Sequence, residues 1–169
     1  LIMKIFGVSV TGIHMGLALL NIASRFLFFL ISKIFVSKIG AVISASSFGI
    51  LSASKTLLGQ AAHAAHFVTF FALLGISILL PLFQNEKHKG MKYFISGLCF
   101  SLAFICKQSG LFFLFFGFLV IMIKGFNRCH VSQQIKSLIV LLSGFIAPLL
   151  ILLVYLYFQD DILLGVQMS

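Results

Sequence analysis

Lys107, Gln108, Ser109 and Gly110 form a polar cluster inside an otherwise apolar run of about 31 residues, Tyr93 to Ile123. An ammonium in such surroundings is costly unless it reaches water or meets an anion. Next to a carboxamide that both donates and accepts hydrogen bonds, it suits a phosphate. The ordinary alternative is that Lys107 snorkels to the outer headgroups.

A second polar patch is Gly59-Gln60-Ala61-Ala62-His63-Ala64-Ala65-His66. His63 and His66 are three residues apart and would share a helical face, a spacing that metal sites use. With no third Cys, Asp or Glu nearby, a divalent metal is the minor alternative and no cofactor is expected. The imidazoles suit hydrogen bonding in the interfacial zone, or contact with a polar substrate or a phosphate. Lys55 supplies a further cation on that side. Arg25, near Asn21 and Ser24, reads as a snorkelling residue close to the inner end of its segment.

Carboxylate chemistry is poorly provided for. The acids are Glu86 and the adjacent pair Asp160 and Asp161, and neighbouring acids do not bracket a scissile bond. Neither phosphate-cradling glycine motif occurs, and no order of Ser, His and Asp suggests a nucleophile. Cys99, Cys106 and Cys129 have no C-x-x-C spacing and read as small packing residues.

The segments that must position these groups are membrane spans. The chain has 169 residues, 61% hydrophobic and 9% charged, with a mean hydropathy of +1.19, a composition foreign to soluble domains. Six apolar runs stand out: Ile13 to Ser32, Ile39 to Leu58, His66 to Phe83, Tyr93 to Cys106, Leu111 to Ile123 and Ser137 to Phe158. The expectation is an all-α, polytopic transmembrane bundle of about six spans, a single region 1–169 with no soluble domain. As one helix, Tyr93 to Ile123 would extend about 46 Å against a hydrocarbon core of about 30 Å, so it must break, and Lys107 to Gly110 is the place. Each arm would then be about 13 or 14 residues, or about 20 Å, which puts the turn beneath the outer lipid surface. The second span, with Ser44, Ala45, Ser46, Ser47, Gly49, Ser52, Ala53 and Ser54, is expected in the bundle interior. Pro148 is expected to kink the last span.

Charge sets the orientation. Lys33, Lys38, Lys87, Lys89, Lys92, Lys124, Arg128 and Lys136 fall on one side of this map, and Lys4, Lys55 and Lys107 on the other. The eight-cation side is cytoplasmic by the positive-inside rule. The net charge of +9 thus records topology rather than a nucleic-acid partner.

The outer turn from Gly59 to Phe67, an apolar span, a basic inner loop and the stretch Gly97-Leu98-Cys99-Phe100-Ser101-Leu102-Ala103-Phe104-Ile105-Cys106-Lys107-Gln108-Ser109-Gly110 together resemble the membrane glycosyltransferases of the dolichyl-phosphate-mannose protein mannosyltransferase type. This is the GT-C class that includes the bacterial lipid A glycosyltransferases. The resemblance covers roughly Ile5 to Gly125. It implies a multi-pass enzyme of the plasma membrane or endoplasmic reticulum that moves a sugar from a polyprenyl-phosphate donor to a lipid, glycan or protein acceptor at the outer or lumenal face. It places Lys107 and Gln108 near the donor phosphate, with His63, His66 and Lys55 as substrate contacts. Ala65 stands where such enzymes commonly carry an acidic residue. The resemblance also implies a catalytic aspartate in a first outer loop, which would lie upstream of Leu1 and make this chain a fragment.

Two other classes compete with a transferase. A transporter of an anionic solute would also use an intramembrane cation and broken helices. A non-catalytic membrane scaffold would use the small-residue span as a partner surface.

Overall fold

A computed structural model describes residues 10–53, 64–83, 89–126 and 131–167. All of its regular elements are helical: α1 (Val10–Phe35), α2 (Lys38–Ala53), α3 (Ala64–Leu79) with a 3-10 turn Leu80–Phe83, α4 (Lys89–Cys106), a 3-10 turn Gln108–Gly110, α5 (Leu111–Phe126) and α6 (Val131–Gln167). Two helices are long and apolar enough to cross a membrane, over Met15–Phe35 and Ser132–Phe158.

The link between α1 and α2 is only Val36 and Ser37. Ser37 caps α2: its hydroxyl accepts the Gly40 amide at 3.3 Å while its carbonyl accepts the Ala41 amide at 2.9 Å, so an orphan donor of the first turn is satisfied. The two helices then run back along each other, with Phe28 stacked on Phe48 at 4.8 Å between ring centroids. Elsewhere, the hydroxyls of Ser24, Thr69, Ser77, Ser137 and Ser143 bond to carbonyls three or four residues back on their own helices. This local closure lets a polar side chain sit on an apolar helix without an external partner.

α4 is the central element and packs against α3, α5 and α6. Phe100 at its middle is fully buried, one ring edge over Gly75 of α3 and the opposite edge 3.0 Å from where a side chain on Gly117 of α5 would begin. Two residues without side chains leave the notch that a phenyl ring fills. Around it gather Leu79, Tyr93, Leu114, Val120, Ile121, Leu141 and Phe145. α4 and α6 cross backbone to backbone at Gly97 and Gly144: a β-carbon on Gly97 would collide with the Leu141 carbonyl, and one on Gly144 with the Phe94 carbonyl. Small residues at such a crossing maximise van der Waals contact, which drives helix association where apolar burial does not. Ser96, also fully buried, donates to the Gly75 carbonyl at 2.9 Å and ties α4 to α3.

Three expectations need correction. α2 is not interior: it packs on α1, and Ser46 and Ser47 face outward with Ile39, Val42, Ile43 and Ile50. Its many serines offer little area for interlocking, and the centre is taken by α4, whose Gly97, Ser96 and Ala103 alternate with large Phe and Leu. The arms of the hairpin are also longer than expected, 18 residues for α4 and 16 for α5, or about 27 and 24 Å. Lysines are included in the outer turns of the hairpin, Lys89 and Lys92 in the first turn of α4 and Lys124 in the last turn of α5. Finally, α6 is longer than the run Ser137 to Phe158, a helix of 37 residues from Val131 to Gln167 with Pro148 inside it.

Candidate functional site

The site is the apex between α4 and α5. α4 ends where Lys107 turns to extended backbone, φ −162° and ψ 140°. The Lys107 amide still donates to the Ala103 carbonyl at 3.1 Å, which closes the last turn, and the Gly110 amide donates back to the Lys107 carbonyl at 2.8 Å, which closes the reversal. Gly110 is buried directly against the backbone of Ala103 and Phe104, where a β-carbon would collide with both. The apolar run therefore does break at Lys107, and it reverses: Gly110 meets Ala103 and Phe104, whereas Gly117, two turns further on, meets Phe100.

Lys107, Gln108 and Ser109 are all exposed at this apex. Lys107 is exposed at this turn, so its ammonium is accessible there, and as a pure donor it takes no part in capping α5. The amino end of α5, extended by the 3-10 turn, directs the positive pole of its peptide dipoles to the same place, where it opposes the negative pole at the carboxyl end of α4. An ammonium, a carboxamide, a hydroxyl and a helix amino terminus together favour an anion rich in oxygen.

His66 lies half-buried in the first turn of α3. The bond from Ser96 to Gly75 fixes the relative level of α3 and α4. From Gly75 back to His66 is about 13 Å of helix, and from Ser96 forward to Lys107 about 16 Å, in the same direction because the helices are antiparallel. α3 also touches the 3-10 turn Gln108–Gly110. The structure thus brings the His66 end of α3 to the apex. Lys55 and His63 lie outside the described residues. Among the described residues, no three His, Cys, Asp or Glu side chains gather in a way that would hold a metal.

Two features of chemical interest were not legible from residue type. Arg25 does not extend along α1 to the inner end: its Nη2 donates to the Gly49 carbonyl of α2 at 2.8 Å. The spacing of Arg25 and Gly49 from the short link at Val36 and Ser37, ten or so residues on either side, was the available signal. The Gly97 to Gly144 crossing had no comparable signal. Comparison with protein-family models, curated proteins and solved structures finds no match for this chain.

Proposed function

We infer that the chain is the membrane-embedded part of a multi-pass transferase that takes a sugar from a polyprenyl-phosphate carrier at the outer or lumenal face. The observation that carries this reading is the exposed Lys107 ammonium at a tight helical hairpin, at the opposite end of α4 from Lys92. The lateral surface supports the membrane placement: Ile39, Ile50 and Phe112 are each 74–75% exposed, and every residue from Leu150 to Phe158 is exposed. Contiguous apolar surface of this extent is stable in lipid rather than in water. The resemblance of Gly97 to Gly110 to the mannosyltransferase-type enzymes supports the chemistry.

In this reading the donor phosphate docks at the apex. As the sugar leaves, negative charge grows on the phosphate, and the Lys107 ammonium with the α5 amino terminus stabilises it more in the transition state than in the ground state. Gln108 orients a phosphate oxygen, and His66 adds a hydrogen bond from α3. In the resembled enzymes an aspartate acts as general base on the acceptor. The test is sugar transfer from a polyprenyl-phosphate donor by protein carrying Lys107→Ala at matched expression. Transfer is expected to fall at least tenfold; undiminished transfer contradicts the assignment.

A further inference from the structure

We propose that Arg25 is the docking point for a second membrane helix that carries a carboxylate near its middle. The guanidinium lies flat on Gly49, where a β-carbon would come within 2.6 Å of Nε and 2.8 Å of Cζ. One N–H goes to the Gly49 carbonyl at 2.8 Å, an acceptor shared with the Ser52 hydroxyl at 3.1 Å. The Nε is enclosed and has no acceptor among the described residues. One shared neutral carbonyl does not neutralise a permanent cation, and in an apolar surround that shortfall is costly.

Depth identifies the missing anion. Arg25 is ten residues before the end of α1 and Gly49 eleven after the start of α2, which places the guanidinium about 15 Å from that end of the hairpin. With a hydrocarbon core of about 30 Å, this is near the midplane, beyond the reach of a headgroup phosphate. An anion at that level is carried there by a helix. α1 and α2 contain no Asp or Glu, and α6, whose last two turns carry Asp160 and Asp161, packs on α4 and α5 rather than on α1 or α2.

Among the described residues α2 has α1 as its packing partner, and Val42 and Ser46, exposed on its surface, share the helical stripe of Gly49. Small residues along that stripe let a second backbone come close. A helix seated there presents its carboxylate to the guanidinium Nη–H groups that Gly49 does not take, while the enclosed Nε stays against Gly49. The proposal rests on the membrane placement above but not on sugar transfer.

The probe is a 21-residue Leu/Ala transmembrane peptide with one central Glu, compared with its Gln twin. Association with the full chain is read by fluorescence transfer in phosphatidylcholine vesicles, after flotation has shown that the chain is inserted. The Glu peptide is expected to associate about tenfold more tightly than the Gln peptide. That preference should disappear for the Arg25→Gln chain and when the Glu is moved two turns from the centre. Equal association of Glu and Gln peptides with the inserted wild-type chain overturns the proposal without needing any variant. So does a preference that phosphatidylglycerol abolishes, since a lipid phosphate would then be the occupant. A chain that fails to float with vesicles removes the membrane placement itself.

Discussion

Gly110 lies against the Ala103 carbonyl so closely that no side chain fits between them. This one approach turns a 31-residue apolar stretch into two helices joined by a four-residue apex and puts Lys107 at its start. Gly110→Ala should therefore force the arms apart, a loss of about 1–3 kcal/mol as in other overpacked sites. Reversible unfolding in mixed micelles measures it. Unchanged stability would show that the hairpin does not depend on the contact.

The crossing of α4 and α6 makes a sharper internal comparison. Gly97→Ala and Gly144→Ala each drive a methyl group into a carbonyl of the opposing helix and should lower stability by at least the same amount. Gly90 has open space around the position of a β-carbon, so Gly90→Ala should be neutral, or stabilising by up to about 1 kcal/mol through helix propensity. Equal effects at all three positions would refute the crossing.

Ser96 and Gly75 provide a milder test. Removing the buried hydroxyl with Ser96→Ala should cost about 0.5–1.5 kcal/mol, the range for hydrogen bonds between membrane helices. A double-mutant cycle is impractical because the acceptor is backbone, so the check is Ser96→Thr. Its retained hydroxyl should not restore stability, because the added methyl enters the packed α3 interface.

At the apex, Lys acts as a point charge rather than a bidentate fork. Lys107→Arg should then keep most of the affinity for a polyprenyl phosphate, and Lys107→Gln should lose about tenfold. Binding should weaken as salt rises, since the apex is exposed. Titration calorimetry in micelles at two ionic strengths gives both numbers; equal affinity for all three proteins would contradict a phosphate contact.

How much of this was readable from residue order follows from what each feature depends on. The break at Lys107 was legible because length and polarity pointed to the same place: the run was too long for one crossing and had one polar interruption. Helix existence was legible for the same reason, while the ends were not, since the helices continue through the lysines of their terminal turns. The position of α2 was misread because serines and glycines permit close packing without specifying a partner. The reach of Arg25 onto Gly49 depends on a tight link that sets the register of two helices. The pairing of Gly97 with Gly144 depends on which face each helix presents. The second is a tertiary fact that no local pattern encodes.

The most direct measurement is impermeant thiol labelling in sealed vesicles of known orientation, with Cys99, Cys106 and Cys129 replaced by Ala and single cysteines placed at Ser109 and Lys136. Cysteine at 109 should react from the outer face, and cysteine at 136 only after the membrane is opened. Reaction of both from the same face would contradict the hairpin, and with it the exposure of Lys107 to an outer-leaflet donor.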